Sequence, residues 1–222
     1  MIATWIRQNR GFLLFMLLLG LFRTAVADWN PIPSGSMHPG LLEGDVVFVN
    51  RLAYNVKLPL TDWVLAHTGE PRRGDIVTFF SPTDGRRLIK RIMALPGDTI
   101  QMRGRQLLLN GQPAQYRFEG LAPASAEEGA RIAIRLRESL GSAGHEIQWI
   151  GDRGNAPDFG PLTVPADHYL MLGDNRDDSA DSRYFGLVER RSLIGRAERI
   201  LVSAAIMDRW QPRFIRFGAP LR

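Results

Sequence analysis

Cysteine is absent from the 222 residues, which rules out a disulfide framework and a thiolate metal site and leaves redox compartment unreadable. Lysine is almost absent: of 28 basic residues only Lys57 and Lys90 are lysines and the rest are arginines. No self-similarity at a period of about 20 to 50 residues and no heptad pattern is present, which excludes solenoids and coiled coils. Extreme composition is missing too. With 45% apolar and 23% charged residues the chain has ordinary globular usage and length for a sizeable core. The net charge of +5 suits either nucleic acid or an anionic membrane surface.

What the chain does have is many short apolar runs between turns. VVFVN (46–50), IVTFF (76–80) and HYLML (168–172) read as strands, and the EGD, RGD and LPGD turns punctuate them. Asn110-Gly111 is a hairpin signal. A mainly β fold is expected as one body, 28–222, with 104–165 as an inserted β subdomain where the pattern loosens. Ahead of it lies GFLLFMLLLGLF (11–22), free of charge, preceded by Arg7 and Arg10 and followed by Arg23 and Asp28. Residues 11–27 read as one membrane segment at the short end for crossing about 30 Å of hydrocarbon. The basic flank puts residues 1–10 in the cytoplasm and the body outside. Ala25-Val26-Ala27 also fits a signal-peptide cleavage site. A retained anchor is the preferred expectation, because PSGSM (33–37) begins only a few residues later and would be held at the membrane face.

Three polar stretches carry chemistry. PSGSM offers Ser34 and Ser36 with no histidine-aspartate pattern to activate a hydroxyl; on composition alone it is a turn. RRLIKR (86–91) keeps a lysine among arginines. A guanidinium stays charged at any working pH, whereas a desolvated ammonium loses its proton readily enough to serve as a base. GDNRDDSADSRYFG (173–186) crowds four aspartates, but it lacks the glycine and terminal glutamate of a calcium loop; paired Asp and Arg with Ser179 among them is the better reading. No metal ligand set and no cofactor motif is found.

Taken in order, PSGSM after a membrane segment, RRGDIV (72–77) with IKRIMALPGD (89–98), and GDNRDDSADSRYFG with LIGRA (193–197) resemble type I signal peptidase, the membrane-bound serine endopeptidase family that removes secretory signal peptides. The resemblance implies Ser36 as nucleophile and Lys90 as general base. It implies Ser34 and the Ser36 N–H as the oxyanion hole, Ser179 as the group orienting the lysine, and Asp181 with Arg183 as a supporting ion pair. Ile32, Pro33, Met37, Leu41, Leu88 and Ile89 are the expected substrate-pocket residues, for cleavage after small residues of Ala-x-Ala type. The implied setting is the bacterial inner membrane: a single-pass monomer with its catalytic domain on the periplasmic side, its partners signal peptides of exported preproteins and membrane lipid, not nucleic acid.

Two positions depart from the family pattern: Gly40 stands where threonine is usual, and Leu88 where an aromatic is frequent. His38, close after Ser36 in the chain, invites a serine-histidine alternative to the lysine. A self-cleaving repressor of similar fold needs a DNA-binding module where this chain has an apolar segment. A non-enzymatic basic β domain remains the third reading, and loss of one hydroxyl at Ser36 separates it from an enzyme.

Overall fold

The computed structural model describes residues 2–61, 63–124, 131–141, 143–151, 157–206 and 208–221. Helix α1 (Ile2–Ala25) leads into β1 (Ala27–Pro31), β2 (Asp45–Asn50), a small hairpin of β3 (Asn55–Lys57) and β4 (Val64–His67), then β5 (Ile76–Phe80) and β6 (Arg87–Ala94). The middle of the chain forms β7 (Thr99–Arg103), β8 (Gln106–Leu109), β9 (Gln112–Pro113), β10 (Gln115–Pro123), β11 (Ile132–Leu140), β12 (Ala143–Ile150) and β13 (Phe159–Thr163). It closes with β14 (His168–Leu172), the single turn α2 (Ser182–Phe185), β15 (Val188–Glu189), β16 (Leu193–Ala205) and β17 (Gln211–Pro212). The protein is mainly β, as its short apolar runs predict.

One sheet runs in the order β1-β2-β16-β5-β6-β14-β15. In β2 buried and half-buried residues alternate, whereas β5 and β14 are largely apolar runs buried on both faces. One face packs Ile32, Met37, Leu41, Val47 and Ile200. A second cluster holds Tyr54, Val77, Phe79, Ile92 and Tyr169. The middle strands make two further sheets, β10-β11-β12 and β13-β7-β8-β9. Asn110 and Gly111 both adopt positive φ (51° and 78°), the geometry that makes Asn-Gly a tight hairpin. Within the expected inserted subdomain, residues 125–130 lie outside the described residues.

Helix α1 ends at Ala25, and Ala27 is already buried and paired with Asn50. Its large apolar side chains, among them Phe12, Phe15, Leu17 and Phe22, are exposed. Among the described residues no helix is long and apolar enough to cross a membrane: Arg7, Arg10 and Arg23 dilute the apolar stretch. Where the helix joins the sheet, buried Asp28 takes Arg23 Nε and Arg87 Nη1, each at 2.8 Å. Arg87 also bonds Asn30 at 2.6 Å, which fixes the helix exit against the start of β6. At the other end of the chain Trp210, Phe214 and Ile215 are exposed, whereas Arg213 and Arg216 bond Glu43 and Asp45. The aromatics therefore do not form a packed last strand.

Candidate active site

Residues Gly35–Met37 form one turn of 3-10 helix that sits across the start of the apolar cluster, with Met37 as its buried foot. Ser36 is presented at mid-turn, half-buried. From β6, Lys90 reaches it: Nζ lies 2.6 Å from Ser36 Oγ. The two residues are 54 apart in the chain, and the pairing of β6 with β5 and β14 holds the lysine in place. Lys90 is almost wholly buried. Burial first of all brings its pKa down from 10.5 to about 8, against the opposing pull of Asp181 and Asp174. A lysine so placed is neutral in a useful fraction of molecules near neutral pH.

The loop after β14 braces this contact. Asp181 caps α2 through the Arg183 N–H, pairs with the Arg183 guanidinium at 2.7 Å, and accepts the Gly173 N–H at 2.9 Å. A Cβ on Gly173 would stand 2.2 Å from Ser179 Oγ and 2.5 Å from Ser36 O, so glycine is what lets the loop close over the serine. Ser179 Oγ is buried and has no hydrogen-bond partner among the described residues; no bond joins it to Lys90 here. Ser34 is exposed at the head of the turn, and its hydroxyl caps nothing.

Several groups in this arrangement were not picked out from the sequence. Asn175 donates from its backbone to Ser36 O at 3.1 Å and from Nδ2 to Gly35 O at 3.0 Å, holding the turn by its carbonyls. Arg91, next to the lysine, makes a two-pronged pair with Asp174 at 2.8 and 2.7 Å. Burial opposes the charge on Asp174, yet Arg91 keeps the carboxyl below its usual range. Arg176 forms a second buried pair with Glu138 of β11, at 2.8 Å for the Nη1 contact. His145 is packed between these pairs, pushed down to about 4 by burial and then by Arg91. Their only forewarning was the density of Asp and Arg in 173–186.

The six expected pocket residues divide. Met37 and Leu41 have no exposed surface and Ile32 almost none; they pack beneath the turn, and partly buried Ile89 joins them. Leu88 packs with the other cluster, beside Val77 and Phe79, and Pro33 is exposed. Gly40 is exposed too, and an added Cβ there would meet Asp174 Oδ2 and Met37 O at an ordinary 3.6 Å. A cavity of about 490 Å3 lined by Asn55, His67, His168 and Arg190 involves none of these residues. Among the described residues no group of His, Asp and Glu has the arrangement of a metal site.

Comparison with known proteins gives a consistent result. The family described as "Signal peptidase, peptidase S26" matches residues 3–202. Signal peptidase I of Pseudomonas fluorescens is 33% identical over 210 residues, covering 89% of this chain and 72% of that protein. Signal peptidase I P of Bacillus subtilis subsp. natto is 30% identical over 200 residues, covering 90% of this chain and 88% of its own. Among solved structures, a signal peptidase I from Enterococcus faecalis matches at 32% identity with a TM-score of 0.38, covering 58% of this chain and 97% of that one.

Proposed function

The chain belongs to the peptidase S26 family of signal peptidases, and from that premise we propose that Ser36 is its nucleophile, Lys90 its general base, and an Ala-x-Ala type site on exported preproteins its target. The 2.6 Å contact between Lys90 Nζ and Ser36 Oγ carries this reading. In the reactive form the amine is neutral, and the serine hydroxyl donates to its lone pair. As Oγ attacks the scissile carbonyl, the proton passes to Nζ, and the resulting ammonium is favoured by Asp181 and Asp174 nearby. The carbonyl oxygen takes the negative charge, met by the Ser36 N–H and the Ser34 hydroxyl. Collapse breaks the peptide C–N bond, and the ammonium returns its proton to the leaving amine. The amine, neutral again, deprotonates a water that releases the signal peptide from Ser36. Asn175 and Gly173 act by holding the turn, and Asp181 with Arg183 by holding Gly173. Ser179, whose buried hydroxyl has no other partner among the described residues, is read as the group that orients the lysine.

Helix α1 is read as the retained anchor in the bacterial inner membrane, its N-terminus cytoplasmic and residues 28–222 outside. No helix among the described residues is long and apolar enough by itself to cross a membrane, but α1 is about 36 Å long at ~1.5 Å per residue and exposes Phe12, Phe15, Leu17 and Phe22, a surface that suits lipid contact. Arg7, Arg10 and Arg23 lie toward its ends, where long stems bring charge to the headgroups. The exposed Trp210, Phe214 and Ile215 suit the same interface. Retention is favoured because cleavage after Ala27 would cut inside paired β1 beside the Asp28 ion pairs. Residues 104–165 are taken as an inserted subdomain and the working unit as a monomer. Purified protein in detergent is expected to cleave a peptide with an Ala-x-Ala site, and protein from isolated membranes to begin at Met1 or Ile2. Failure to cleave, or a mature start at Asp28, would overturn the respective part.

A further inference from the structure

His38 follows the nucleophile by two residues, is buried, and has no task in the mechanism above. Its Nδ1 lies 3.1 Å from the carbonyl oxygen of Ala124, 86 residues away. Its Nε2 lies 2.7 Å from Glu43 Oε2. A carbonyl and an ionised carboxylate only accept, so both contacts hold together only when both ring nitrogens carry protons. The Glu43 carboxyl is held below its usual range, first by this bond, which keeps it an acceptor.

The pair is built against the nucleophile turn. A Cβ on Gly35 would stand 2.7 Å from Glu43 Oε1 and 3.4 Å from the His38 ring. The His38 backbone N–H closes the turn onto Gly35 O at 3.0 Å. Ala124 is anchored in turn: it packs with Ala133 and Ile150, and its carbonyl also accepts from Gln148 Nε2 at 3.0 Å. Glu43 is fixed from behind by Arg213, which donates to its carbonyl at 2.9 Å. Asn175 holds the turn from the loop after β14, and His38 holds it from the side of β10–β12.

We propose that His38 is a positioning residue for the reaction: as an imidazolium donating at both ring nitrogens, it ties the turn bearing Ser36 to the β10–β12 sheet through Ala124 and to the following loop through Glu43. The kinetic part rests on the Ser36 and Lys90 reading. A turn released on this side presents its hydroxyl and N–H less well to the scissile carbonyl, a loss in the reacting geometry and not in substrate affinity.

The test uses the full chain in detergent with an Ala-x-Ala peptide. His38→Ala and Glu43→Ala are expected to lower kcat about tenfold with KM within about twofold. Glu43→Gln should recover most of the loss, because its amide donates to a neutral ring and preserves both contacts. With 15N-labelled histidine, of which the chain has only four, the His38 signal should show two protonated nitrogens in the parent and one in Glu43→Gln. Wild-type kcat in a folded His38→Ala, or a His38 ring with one bare nitrogen in the parent, would overturn the proposal. An active Ser36→Ala would overturn the dyad instead and leave the imidazolium signal in place.

Discussion

Replacing Lys90 by methionine should make the protein more stable at neutral pH while making it inert. The lysine is enclosed, and its pKa falls from 10.5 to about 8. Between those two values the unfolded chain binds a proton that the folded protein does not, so stability rises with pH across that window. Below about pH 8 both states are protonated and the folded one bears the full burden. The difference between 10.5 and about 8, at about 1.36 kcal/mol per pH unit, makes that burden roughly 3 kcal/mol. Methionine keeps the apolar stem and discards the charge, at the loss of one hydrogen bond to Ser36 worth about 1 kcal/mol. A net gain of about 2 kcal/mol at pH 7 is expected, shrinking to nothing or slightly below by pH 10.5. Urea unfolding of parent and variant in the same detergent, from pH 6 to 10.5, measures it. A stability difference constant from pH 7 to 10, or a Lys90→Met variant less stable at pH 7, would refute the argument.

Other consequences are sharper in activity. Below about 8, where Lys90 is charged, kcat/KM for an Ala-x-Ala peptide should fall about tenfold per pH unit; a flat profile from pH 5 to 9 with chemistry rate-limiting would contradict a lysine base. Lys90→Arg should be as inactive as Lys90→Ala, since guanidinium cannot shed its proton. Gly173→Ala forces a Cβ to within 2.2 Å of Ser179 Oγ and 2.5 Å of Ser36 O, so it should cost about 1–3 kcal/mol in denaturant titration and most of the turnover. Arg176→Met strands the buried Glu138 carboxylate, an expected loss of about 3–5 kcal/mol, and the further change Glu138→Leu should restore much of it.

The residues that the fold brings together at 2.6 Å, Lys90 and Ser36, were both singled out in the sequence. One lysine kept among arginines at 86–91 drew notice by residue type, and the ordered blocks around Ser36 and Ser179 drew it by their resemblance to a family. Asn110-Gly111 announced its hairpin because few other pairs tolerate positive φ at both positions. What stayed hidden depends on long-range juxtaposition. The two acceptors of His38 lie 86 and 5 residues away, and one is a backbone carbonyl that no side chain advertises. The pairing of β13 with β7 sets Thr163 beside Thr99, across most of the middle of the chain. Aspartates and arginines in 173–186 are visible as a group, but which pairs with which is settled by partners on β6 and β11. The arginines that close on Asp28 are Arg23 of α1, Arg51 just after β2 and Arg87 of β6, and the exit of the helix onto the sheet edge brings them together.

A nucleophilic Ser36 becomes acylated by the substrate before water releases the product. Peptide substrate mixed with the enzyme and quenched in acid, followed by proteolysis and mass spectrometry, reads it directly. An acyl adduct is expected on the fragment carrying Ser36 and is expected to be absent from Ser36→Ala. An adduct mapped to another residue, or unimpaired cleavage by Ser36→Ala, would contradict it.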